Sequence, residues 1–433
     1  MKTNSIPRFT EKTHEGAQAA QTNAEQQLRR SLMSCLLWEK TFYEEGIDIA
    51  MRIASLVPIV KPEKVAAMAI EAREKMKLRH APLWVVREMA RHPEHKALVS
   101  STLERVIQRP DELTEFVSLY WMNKRQPLSA QVKKGLASAF QKFNAYQLAK
   151  YNRDETVKLR DVLFMCHAKP NDKEQEETWK QLVEGKLPIP DTWEVALSTG
   201  KDKKETWERL IKEKSLGALA LLRNLRNMKE AKVDEQIIFS ALEEMKVDRV
   251  LPYRFIAASK FTPQWESQLE AAMMKCLGDR EKIPGVTVLL IDVSGSMDSS
   301  ISNKSDLQRY DAACGLAILA RELCESGSIF TFSNQLVQIP NRHGFALRDA
   351  IVNSQGHGGT ELGMAVNKIN SSLEYDRLIV ITDEQSCDSV PNPKSKGYII
   401  NVASYKNGVG YGAWTHVDGW SEAVLDYIRE VEF

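Results

Sequence analysis

Hydrophobic and polar positions divide this chain into two regimes. From about residue 25 to residue 280 apolar residues recur at helical spacing almost throughout, interrupted at Pro58, Pro62, Pro82, Pro93, Pro110, Pro127, Pro170, Pro188, Pro190, Pro252 and Pro263. Proline ends or kinks a helix because it lacks the N–H and clashes with the preceding turn, so each break closes a segment. The segments are one helix or one helical hairpin long, which predicts stacked helix pairs of the HEAT kind; an irregular α-domain fits the same pattern, since no residue-level repeat stands out. After residue 281 the pattern changes. Strand-like runs at Val286 to Ile291, Ser328 to Phe332, Leu378 to Ile381 and Tyr398 to Val402 alternate with helical stretches at 307–324, 345–353, from Glu361, and at 421–430. A run that is apolar at every position reads as a strand buried on both faces, so the alternation predicts a doubly wound parallel sheet covered by helices.

The most informative helical stretch is Ser129 to Lys150. Val132, Leu136, Ala139, Phe143 and Tyr146 form one apolar stripe, while Lys133, Lys134 and Lys142 fall outside it. Residues 121–150 contain no acid, so these lysines have no local partner of opposite sign. A solubilising face normally mixes signs, and the imbalance favours phosphate binding over a merely solvated surface.

A length of 433 residues exceeds what one core serves, so at least two domains are expected. The net charge of +1 hides an asymmetry: residues 1–280 carry 47 Lys and Arg against 39 Asp and Glu, a balance of +8, and residues 281–433 carry 12 against 19, a balance of −7. The first part suits a polyanion and the second a cation. Residues 1–24 are polar and rich in Gln and Thr and read as a flexible arm. The N-terminus has no apolar leader and no run approaches the ~20 apolar residues of a spanning helix, which predicts a cytoplasmic protein. The cysteines at 35, 166, 276, 314, 324 and 387 show no CxxC pair and read as reduced core residues.

Chemistry concentrates in GVTVLLIDVSGSM, residues 285–297. Asp292, Ser294 and Ser296 follow the apolar run, in the loop at a carboxyl end of the sheet where open α/β folds hold ligands. Three short oxygen donors at alternate positions suit a hard divalent cation, with Thr360 in GHGGT and Asp383 after Leu378 to Ile381 as further donors. This set, DxSxS followed by a distant Thr and a distant Asp, resembles the metal-ion-dependent adhesion site of von Willebrand factor A domains. The cofactor expected is therefore a divalent cation, Mg²⁺. Ser294 is no nucleophile elbow, because a glycine would have to stand where Asp292 is, and no GxxxxGK[ST] phosphate loop occurs. The chain is expected not to be an enzyme.

The stretch YQLAKYNRDETVKLRDVLFMCHAKP at 146–170, ALALLRNLRNM at 218–228 and LPYRF at 251–255, followed by the A domain, resembles the TROVE module of the Ro autoantigen family. The resemblance implies a monomeric ring of helical repeats over residues 25–280, closed by the A domain at 281–433. It further implies that small noncoding Y RNAs bind its outer surface and single-stranded 3′ ends of misfolded RNA enter its hole, as a ribonucleoprotein in RNA quality control, with an exoribonuclease or another protein as partner through the A domain. The family's RNA-contacting positions fall on Lys150 and His167; a further basic position coincides with Asp154, where Arg153 stands beside it as a substitute. Arg223 and Arg226 are candidates for the hole. The alternative function is a metal-dependent protein-interaction adaptor, whose A domain recruits a partner through an acidic residue.

Overall fold

The computed structural model describes residues 11–33, 45–198, 202–248, 250–278, 281–300, 307–403, 405–419, 421 and 423–432. They form two compact units, Ala50–Lys246 and a second that joins the N-terminal residues up to Ile49 to Val247–Phe433. Among the described residues no helix is long and apolar enough to cross a membrane. Residues 1–10 and Cys35 lie outside the described residues.

Among its described residues the first unit's regular elements are all helices. Pro62 and Pro110 open Pro62–Glu74 and Pro110–Tyr120 at the first helical position, where the missing N–H is not needed. Pro62–Glu74 packs on His80–Met89 and Lys96–Val106; Lys96–Val106 packs on Ala130–Phe140, which in turn packs on Leu159–Cys166. This is the stacked-helix architecture that the proline spacing predicts. One expectation fails: Ser129 to Lys150 is not a single helix but Ala130–Phe140 and Ala145–Tyr151. Asn144 restarts the chain, its Oδ1 accepting from Gln147 N at 2.9 Å and its N–H donating to Gln147 Oε1 at 3.0 Å. This reciprocal cap competes with helix continuation. Val132, Leu136, Ala139 and Phe143 are buried as the stripe predicts, but the break turns Tyr146 out to solvent.

The second unit is built on a six-stranded sheet in the order β3-β2-β1-β4-β5-β6, with β1 at Ile283–Asp292, β2 at Cys324–Phe332, β3 at Leu336–Ile339, β4 at Arg377–Thr382, β5 at Lys396–Asn401 and β6 at Thr415–Asp418. All neighbours are parallel except β2 and β3. β3 and β6 are four-residue edge strands too short for the apolar pattern to reveal. Successive residues of β1 face opposite sides, so Val288 and Leu290 pack with Leu362, Val366 and Ile369 of Leu362–Ser372, while Arg309–Leu323 packs on the strands as well. The helix Tyr253–Phe261 docks on Arg309–Leu323, and there a side chain at Gly315 would place its Cβ 3.1 Å from Tyr253 N. The LPYRF motif thus meets the sheet domain at its first helix.

The reading of residues 1–24 as a flexible arm does not describe residues 11–24. Thr13 and Ala17 are buried; Thr13 Oγ1 donates to Ser386 O at 2.7 Å and Ala20 N to Gly408 O at 2.9 Å. Polar composition concealed a segment whose backbone and hydroxyl groups find partners on the sheet domain.

Candidate metal centre and nucleic-acid surface

The strand order reverses direction between β1 and β4, and their carboxyl ends lie side by side. Asp292 ends β1 and Asp383 follows β4. Ser294, Ser296 and Thr360 join them, and all five side chains are buried. Ser294 N donates to Asp292 Oδ1 at 2.9 Å, Ser294 Oγ lies 3.2 Å from Ser296 Oγ, and Gln385 N donates to Asp383 Oδ1 at 3.3 Å.

The loop bearing Thr360 is tied to this cluster. Gly295 N donates to Gly358 O at 2.9 Å, His357 Nδ1 sits 2.8 Å from Val293 O, and Gly358 N donates to Ser333 Oγ at 2.8 Å. A Cβ at Gly358 would stand 1.8 Å from Asn334 Oδ1, which accepts from Gly359 N at 2.7 Å, so the close approach requires glycine. Ser386 Oγ and Cys387 N donate to Thr360 O at 3.2 and 2.9 Å, joining the Thr360 and Asp383 loops.

Two side chains that sequence reasoning missed complete the surroundings. Thr382 Oγ1 donates to Asp292 Oδ2 at 2.5 Å, and Arg309 Nη1 reaches Asp383 Oδ2 at 3.4 Å. Thr382 was signalled by its place before Asp383; Arg309 had no local signal. Burial first, and the Asp383 charge second, push the Asp292 carboxyl above the ordinary carboxylate range. Two carboxylates and three hydroxyls, all buried on adjoining loops, form an oxygen set of the kind a hard cation takes. Among the described residues no three His, Cys, Asp or Glu side chains gather as a metal cluster, so a cation here relies on the hydroxyls. The residues fit a Mg²⁺-type ion.

The predicted RNA residues have different fates. Lys134, Arg153 and His167 are exposed and Lys133 and Lys150 partly so. His167 ends the helix Leu159–Cys166 in the left-handed conformation, φ 53°, and the Lys150 ammonium stands 5.9 Å from the centre of the Tyr151 ring. Lys142 is engaged elsewhere: its ammonium donates to Glu104 O and Ile107 O at the end of Lys96–Val106. Arg223 and Arg226 are both exposed, three residues apart on Ala218–Glu230, and Arg226 Nε bonds Glu230 Oε1 at 3.0 Å. The charge asymmetry follows the observed units: Ala50–Lys246 holds 36 Lys and Arg against 28 Asp and Glu, a balance of +8.

The chain is thus a helical unit of stacked helices joined to a doubly wound domain with a six-stranded, mostly parallel sheet. Residues 179–309 match the TROVE domain family, a span that runs from the late helices through Asp292, Ser294 and Ser296. The fold is similar to the crystal structure of the Deinococcus radiodurans RO (RSR) protein, at 18% identity and a TM-score of 0.60, covering 94% of this chain and 98% of that one. No curated protein sequence matches this chain. The family match covers 131 of the 433 residues, and the structural match shows a shared fold.

Proposed function

We propose that this chain is an RNA-binding protein of the Ro type. In this reading it binds small noncoding RNA of the Y kind on cations of the Ala50–Lys246 unit and takes single-stranded 3′ ends of structured or misfolded RNA, as a ribonucleoprotein of RNA quality control. Its sheet domain would hold one Mg²⁺ through Asp292, Ser294, Ser296, Thr360 and Asp383. The ion would supply a fixed positive charge among buried oxygens, which the protein's own residues orient.

The observation that carries the reading is the acid-free stretch 121–150, which holds the exposed Lys134 and the partly exposed Lys150 and is followed by the exposed Arg153, within a unit that matches the TROVE family in part. Cations without acidic neighbours attract phosphates independently of base sequence. In filter binding against salt, replacing Lys134 or Arg153 by Ala is expected to weaken RNA binding and flatten the log–log slope by about 0.7 per residue for single-stranded contacts. Lys142→Ala serves as the internal control. Its ammonium caps a helix end, so it should lower stability and leave the slope unchanged. An unchanged slope in the Lys134 and Arg153 variants would make those side chains a solvated face only.

A second measurement concerns the 3′ end. One hairpin with and without a single-stranded 3′ tail is compared; the tailed form should bind more tightly, because two contacts on one molecule raise each other's effective concentration. Arg226→Ala should reduce the difference. Equal affinity for both forms would remove the tail from the reading.

The adaptor reading retains one supporting feature, the complete buried donor set in a unit of net negative charge. Purification without nuclease separates the two: a chain that carries no RNA favours the adaptor, and one that carries RNA favours the Ro-type reading.

A further inference from the structure

We infer that the N-terminal segment, residues 11–33, is a working part of the cation centre, and that Arg30 is its positioning residue, setting cation affinity by holding the loop that carries Asp383. The inference rests on the proposal that the centre binds a divalent ion. It concerns residues far outside the donor set.

Arg30 lies in the helix Ala24–Met33 and is fully buried. Its Nη1 pairs with Glu384 and its Nε donates to Tyr405 O. Glu384 is the residue after Asp383, is also fully buried, and has a second partner in His416, whose Nε2 lies 2.9 Å from Oε1. His416 in turn faces Asp418 through Nδ1 at 3.4 Å and stacks on Tyr411 at 4.2 Å. The Glu384 carboxylate is therefore turned away from the cation centre and acts through its backbone. That backbone is in the left-handed region, φ 63°, a conformation a side chain as large as Glu keeps only when its surroundings hold it.

The surroundings that hold it come largely from the N-terminal segment. Besides Arg30, His14 N donates to Gln385 Oε1 at 2.8 Å and Thr13 Oγ1 to Ser386 O at 2.7 Å, while Asn407 Nδ2 donates to Lys12 O at 2.9 Å. Gln385 Nε2 reaches Asp383 O at 3.2 Å, and Ser386 Oγ holds Thr360 O. One segment thus braces both of the donors that are distant in sequence from Asp292. The fit is close: a Cβ at Gly408 or Gly410 would stand 2.1 or 2.0 Å from a Glu384 carboxylate oxygen. Groups that orient metal ligands without touching the ion commonly alter its affinity about 10- to 100-fold when removed.

The experiment uses the full-length chain and Mn²⁺, followed by electron paramagnetic resonance and calorimetry, with hydrogen exchange at residues 383–388. Arg30→Gln is expected to weaken Mn²⁺ binding about 10- to 100-fold and to speed exchange in that loop. Arg30→Lys should recover part of the affinity, because the charge returns without the planar fork. RNA affinity should not move. Folded Arg30→Gln protein with parental Mn²⁺ affinity would overturn the inference. Should Arg30→Gln fail to fold, Thr13→Val decides: it removes one brace on Ser386, and Mn²⁺ affinity equal to the parent's overturns the inference. A parent that takes up no Mn²⁺ is a different outcome, which removes the metal reading itself.

Discussion

Asp292→Asn is expected to abolish divalent-cation binding while leaving the metal-free protein at least as stable as the parent. The two effects have one cause. Asp292 and Asp383 are both fully buried, and Arg309 reaches Asp383 at 3.4 Å. Asp292 has hydrogen bonds from Thr382 Oγ1 and Ser294 N and, among the described residues, no ion pair, so its ionised form is penalised by burial and by the neighbouring carboxylate. Asparagine keeps the shape and the acceptor oxygen and removes the penalised charge. A cation loses by the same change the donor that carries most of the attraction, since the remaining carboxylate is shared with Arg309. Thermal unfolding with and without Mg²⁺ reads both consequences. A ligand at 100 times its Kd adds about 2.7 kcal/mol to a folded state that alone binds it. The parent should therefore melt higher with Mg²⁺, and Asp292→Asn should melt at one temperature in both conditions. A variant that is still raised by Mg²⁺ as much as the parent would place the ion elsewhere.

That Asp292, Ser294, Ser296, Thr360 and Asp383 come to adjoining loops was legible because it depends on short-range order and chain polarity. Asp292, Ser294 and Ser296 share one loop at the end of an apolar run, and Asp383 ends another; a parallel sheet brings such ends to one edge whatever lies between. The residues that brace the donors were not legible. Arg30 and Glu384 are 354 positions apart, and a single arginine in a polar stretch carries no sign of its destination. The same limit explains Lys142. Sequence shows that its charge lacks an acid within reach along the helix, but the two carbonyls that take its ammonium belong to a helix 35 and 38 residues away. Helix existence was readable from periodicity and prolines, whereas the break at Asn144 was not: the apolar stripe runs through it, and a cap made of one Asn and one Gln outweighs the continuation.

The largest loss of stability is expected from Glu112→Ala in the Ala50–Lys246 unit. Glu112 is fully buried three residues into Pro110–Tyr120. One oxygen accepts from Arg73 Nη2 at 2.6 Å and Arg79 Nε at 3.3 Å; the other accepts from the backbone N–H groups of Gln108 and Arg109 at 2.7 and 3.1 Å. It therefore closes a helix end and neutralises a buried arginine at once. Arg73 is itself 7% exposed, with no other carboxylate bonded to it among the described residues, so alanine strands a guanidinium in the core. Removing one partner of such a buried pair costs about 3–5 kcal/mol. At roughly 2–4 °C per kcal/mol for a unit of this size, melting should fall by about 6–20 °C. Glu74→Ala is the matched comparison. Glu74 pairs with Arg105 at 2.6 Å on the surface, where such pairs contribute about 0.2–1 kcal/mol. Circular dichroism melts of the two variants decide the matter: equal, small shifts would mean that solvent reaches Arg73 once Glu112 is gone, and that the pair adds no more than its surface counterpart.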